Sequence, residues 1–159
     1  MAAVTVWISS LCRTDPGYGG WAWVRRIDGE TGAAAIKGAA GGERRTTAAS
    51  MSLAALAEAL DGLSDLPADV AVTLRFLDMD LAGQLVASDG VYATAEPDAW
   101  AAARAAVAKR TALELVPAAP ADAATGFLNA WAEFGLDTAK SRGSFKAAIP
   151  KPNLMKFPG

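Results

Sequence analysis

Val4-Thr5-Val6-Trp7-Ile8-Ser9-Ser10-Leu11-Cys12, then Arg13-Thr14-Asp15-Pro16-Gly17-Tyr18-Gly19-Gly20, then Trp21-Ala22-Trp23-Val24-Arg25-Arg26: the fold turns on this stretch. Val4–Ile8 is β-branched and aromatic and has the length of a strand, and Trp21–Arg26 reads as a second one. Between them Pro16 fixes φ and the glycines permit positive φ, which marks a turn. Asp28-Gly29-Glu30-Thr31-Gly32 supplies a hairpin turn before a third strand around Ala33–Gly38. Arg25 and Arg26, beside that turn, are expected to face solvent.

Downstream the period changes. After a loop over Gly41–Thr47, apolar Met51, Leu53, Leu56, Leu60 and Leu63 recur at helical spacing within Ala49–Leu63, with Ser50 the expected N-cap. Val70–Leu77 is a nearly continuous apolar run, suited to a strand covered on both faces. A short helix over Met79–Ala87, an alanine helix over Asp98–Lys109, a last strand at Leu113–Val116 and a helix over Ala123–Phe134 follow. Hairpin-linked strands followed by alternating helix and strand predict an α/β fold, a mixed five-stranded sheet flanked by helices. The chain divides into a domain over residues 1–137 and a basic, proline-containing tail over 138–159.

Composition narrows the function. The 159 residues make one domain, 52% hydrophobic, with alanine supplying much of that fraction. Trp7, Trp21, Trp23, Trp100 and Trp131 are therefore expected to fill the core rather than to stack on bases. One cysteine and no histidine exclude a disulfide framework, imidazole metal sites and any Ser-His or Cys-His pair. No run approaches 18 apolar residues, and no basic segment with a long apolar stretch opens the chain, so a soluble cytoplasmic protein is expected. Net charge is −2, too small for a global field toward nucleic acid. Yet five of the 15 basic residues and none of the 17 acidic ones lie in 138–159: Lys140, Arg142, Lys146, Lys151 and Lys156. Phe145, Ile149, Leu154, Met155 and Phe157 are too apolar for a purely solvated tail, and would pack on the body, a second copy or a partner.

Several strings, in order, resemble type I ribonuclease H. Val4–Cys12 with Asp15–Ala22 is similar to the family's first strand, its Asp-Gly-Ser segment and its glycine-rich turn. Arg45-Thr46-Thr47-Ala48-Ala49-Ser50-Met51-Ser52-Leu53 is similar to the Arg-Thr-Thr-Asn-Asn-Arg-Met-Glu-Leu start of its first helix. Leu77-Asp78-Met79 falls where the family has Thr-Asp-Ser, and Leu113–Val116 falls where Trp-x-x-Val precedes a histidine loop. The resemblance spans residues 4 to about 134 and implies the ribonuclease-H-like fold.

The departures imply more than the matches. The family sets four carboxylates around two Mg²⁺ ions that activate water at an RNA phosphate. Here the corresponding positions are Ser9, Ser52, Asp78 and Asn129, and the histidine falls on Ala119. Hard dications need several anionic oxygens, so no metal and no other cofactor is expected, and the chain reads as a catalytically degenerate member. The paired asparagines that reach 2′-hydroxyls fall on Ala48 and Ala49.

What remains is binding. Arg13, Arg44, Arg45, Thr46 and Thr47, with the five tail cations, are the candidate contacts to nucleic acid or to a nucleic-acid-processing protein. Five phosphate contacts through the tail would give a salt slope of about −4 to −5. Two alternatives stand beside this reading: a protein-only adaptor or homodimer associating through the tail, and a nuclease with a single-metal site rebuilt around Asp78, Asp80 and Asp15.

Overall fold

The computed structural model describes residues 2–14, 16–76, 81, 84 and 91–159. Strands β1 (Val4–Cys12), β2 (Gly17–Ile27) and β3 (Ile36–Thr46) form an antiparallel meander. Helix α1 (Ala48–Asp61) leads to β4 (Val72–Phe76), which lies parallel to β1, and β5 (Leu113–Pro117) lies parallel to β4. Between these two strands are α2 (Val91–Ala95) and α3 (Pro97–Ala108). Helix α4 (Ala123–Arg142), strand β6 (Phe145–Ala148) and helix α5 (Lys151–Leu154) complete the chain. The sheet has six strands in the order β5-β4-β1-β2-β3-β6. The expected short helix at 79–87 falls almost wholly outside the described residues.

Strand alternation divides the core. Val4, Val6, Ile8, Trp21 and Trp23 face α1 and α3, where Leu53, Leu56, Leu74, Phe76 and Trp100 close one layer. Ala22, Val24, Ile36 and Ala40 face α4 and α5, meeting Leu128, Ala132, Ile149, Leu154 and Phe157. Trp21, Trp23 and Trp100 are buried, while Trp7 packs edge-on against Phe157 at 4.9 Å. The tryptophans serve as space-fillers in an alanine-rich core.

Four expectations are corrected here. Residues 138–159 are no detached tail: α4 runs on to Arg142, β6 pairs antiparallel with β3, and Ile149, Leu154 and Phe157 are buried. The sixth strand therefore comes from the segment read as tail. The glycines at 41 and 42 lie within β3 rather than in a loop, for a packing reason. A Cβ on Gly42 would stand 2.2 Å from the Gly135 carbonyl oxygen, one on Gly135 2.0 Å from that of Gly41, and one on Gly20 1.9 Å from that of Ala132. Helix and sheet meet backbone to backbone there, so the glycines mark contact and break neither element. Helix α4 ends at Gly143, whose φ of +89° suits glycine.

The N-cap of α1 is Thr47 and not Ser50: the Thr47 hydroxyl accepts from the Ser50 amide at 3.0 Å. Arg25 does not face solvent. It is 5% exposed, donates to both oxygens of Asp65 at 2.5 and 2.9 Å, and donates to the Gly62 carbonyl at 2.7 Å. Its hydrogen bonds, against a weaker desolvation cost, hold the Asp65 carboxyl down from an ordinary 3.8 to about 2.

Gly135→Ala destabilises by about 2–3 kcal/mol despite alanine's better helix propensity, because backbone cannot yield to the new methyl. Gly126→Ala, on the same helix with nothing within 4 Å of its Cβ, stabilises by up to about 1 kcal/mol; urea melts of the two variants compare the signs. For Asp65, the depressed pKa gives stability that is present above about pH 4 and lost as pH falls toward 2. Asp65→Asn costs about 1–2 kcal/mol at neutral pH, less than a fully enclosed pair because half the carboxylate meets water, and the gap from wild type closes across that acid window.

Candidate functional site

Of the four positions that resemble a metal centre, Ser9 and Asn129 meet, Ser52 pairs with Ser10 on the other face of the sheet, and Asp78 lies outside the described residues. Successive side chains of β1 point to opposite faces of the sheet, so Ser9 turns toward α4 and Ser10 toward α1. The Ser9 hydroxyl, on a residue only 2% exposed, donates to Asn129 Oδ1 of α4 at 2.5 Å. The Ser10 and Ser52 hydroxyls lie 3.1 Å apart on the other face. Ser10 was not among the candidates; its place one residue beyond Ser9, at the end of a strand opposite a helix, is the signal that could have found it. Ala119 lies in the turn between β5 and α4, where its carbonyl accepts from the Thr125 hydroxyl and its methyl can carry no proton.

Hydroxyls and an amide already bonded to one another do not make the anionic donor set that a pair of hard dications needs. Among the described residues no three His, Cys, Asp or Glu side chains gather at a common point. Asp15, Asp78 and Asp80 lie outside the described residues.

The candidate binding residues separate into engaged and exposed groups. Arg44 donates from Nε to the Ala139 carbonyl at 3.1 Å and from Nη2 to the Lys140 and Ser141 carbonyls, so it caps the C-terminus of α4. Lys146 pairs with Glu58 at 3.0 Å across the sheet face. Lys151 donates to the Ala33 and Ile36 carbonyls at 2.9 and 2.7 Å. Thr46 is buried, and Thr47, besides capping α1, donates to Glu96. These five serve the fold.

Arg13, Arg45 and Lys140 gather at one end of the sheet. The β1–β2 turn closes through the Arg13 amide on the Tyr18 carbonyl, and register sets Gly17 beside Thr46. The Lys140 ammonium lies 5.3 Å from the Tyr18 ring centroid, a cation–π contact on an aromatic 38% exposed. Arg13 is half-exposed and pairs with Glu133 at 2.8 Å. Arg45 is exposed and lines a cavity of about 260 Å³ with Pro16, Thr47, Ser50 and Glu96. Arg142 and Lys156 are exposed too. Arg44→Ala is expected to lower stability by about 1 kcal/mol through uncapped carbonyls. It should leave affinity for any anionic partner within twofold, as thermal melts and titrations would show.

No family model and no curated protein matches this chain. Solved structures do. RNase H1 from the halophilic archaeon Halobacterium salinarum is similar at 22% identity with a TM-score of 0.66, over 87% of this chain and all of that one. The N-terminal RNase H domain of a Mycobacterium tuberculosis protein is similar at 16% identity and 0.68, over 89% of this chain and 98% of that one. LC11-RNase H1, solved in complex with an RNA/DNA hybrid, is similar at 18% identity and 0.70, over 86% of this chain and 99% of that one. No described helix is long and apolar enough to cross a membrane. On strand order, helix placement and this likeness, the chain has the ribonuclease-H-like fold.

Proposed function

We propose that this protein binds nucleic acid, or a complex that handles it, without cleaving it. The observation that carries the reading is the pairing of Ser9 with Asn129, two neutral side chains hydrogen-bonded to each other where the resembled family sets metal-binding carboxylates. Losing anionic ligands removes the electrostatic reason for dications to enter, and hydrolysis with them. Cutting is lost more readily than gripping, because gripping needs only cations and a fitting shape.

Binding is assigned to the end of the sheet bearing Arg13, Arg45, Tyr18 and, of the tail cations, Lys140; Lys146 and Lys151 serve internal contacts instead. The similar LC11-RNase H1, seen with an RNA/DNA hybrid, supports a nucleic acid as the partner class.

Incubated with an RNA/DNA hybrid and Mg²⁺ or Mn²⁺, the protein is expected to leave the hybrid intact; cleavage abolished by Asp78→Asn would overturn the reading. Fluorescence anisotropy at low salt is expected to show binding with a log–log salt slope of about −2 to −3, the value for three phosphate contacts. Arg45→Ala should flatten that slope by about one unit.

A further inference from the structure

Strand β6 is the last in the sheet, and its outer edge is open among the described residues. The Ile149 amide donates to the Gly38 carbonyl at 2.9 Å. In an antiparallel ladder that phase also turns the backbone groups of Ala147 and Phe145 toward β3, opposite Ala40 and Gly42. The N–H and C=O groups of Lys146 and Ala148 therefore point outward. Pro150 then leads the chain away, and Leu154 and Phe157 carry it into the core on the α4 side. Residues 146–148 are left exposed. Such an edge is a template for another strand.

Beside this edge, on the α4 side, lies an aromatic groove. Phe134 is 48% exposed although the rings of Trp131 and Phe145 pack edge-on against it, with centroids at 5.2 and 5.9 Å. Phe134, Phe145, Asp137, Thr138, Ser141 and Arg142 line a cavity of about 420 Å³. One acid and one base share it. A polyanion would meet Asp137 there, whereas a second copy would bring an arginine to each aspartate and an aspartate to each arginine.

We propose that two copies of this chain pair through β6 about a two-fold axis, with the aromatic flanks of α4 closing over the seam. With Ala147 opposite Ala147, Lys146 of each copy exchanges backbone hydrogen bonds with Ala148 of the other. The Ala147 pair falls at the close, non-hydrogen-bonded position, where Cα atoms approach to ~4.5 Å and two methyl groups still fit. Edge, groove and charge pair are then each satisfied by their own copies, which is the requirement of an isologous interface.

Sedimentation velocity on the full chain tests this from micromolar to millimolar concentration. The mass is expected to rise toward twice the chain's 16.3 kDa, with a dissociation constant on the order of 10–100 μM, as suits a small interface. Ala148→Pro removes an outward amide that β3 does not use, and is expected to weaken the dimer ~10-fold or more. Asp137→Arg weakens it as well, and adding Arg142→Asp restores it. A chain that stays monomeric throughout overturns the proposal, as does a dimer indifferent to Ala148→Pro and Phe134→Ala. Should Ala148→Pro fail to fold by circular dichroism, the charge exchange decides.

Discussion

Helix α4 touches the sheet with its own backbone. At Gly20, Gly42 and Gly135 there is no room for a single methyl group, and the side chains that join α4 to the sheet inherit their positions from that contact. The helix crosses the meander obliquely, so its successive turns meet different strands. Asn129 reaches Ser9 on β1, Glu133 reaches Arg13 beyond it, and the last carbonyls reach Arg44 on β3. A small lift of the helix would uncouple all three at once, because close-packed interiors yield little.

The same contact explains why the polar centre is tidy without being charged. Burying a hydroxyl costs free energy unless it finds a partner, and Ser9 finds Asn129 on α4. A carboxylate pair at that separation would repel unless cations lay between. The neutral pair needs no cation. The centre is thus stable in its own right.

Element order, the meander, α1 and the identity of the central pair were legible in the sequence, because strand and helix periods are strong over Val4–Ile8, Trp21–Arg26 and Met51–Leu60. What was missed depended on contacts distant in sequence. Gly41, Gly42 and Gly135 look like breakers until the backbone opposite each is known. Residues 145–148 look like a solvated tail because lysine, glycine and proline surround a strand of only four residues. Arg25 looks exposed because its partner, Asp65, lies 40 residues on. Charge counting misled in the same way: Lys146 and Lys151 serve a carboxylate and two carbonyls of the fold.

Isothermal titration of the full chain with Mn²⁺ separates a polar centre too weakly charged for dications from one that holds them. The proposed non-cleaving reading requires no saturable heat at millimolar ion. Saturable uptake of two ions per chain, lost in Asp78→Asn, would overturn that reading.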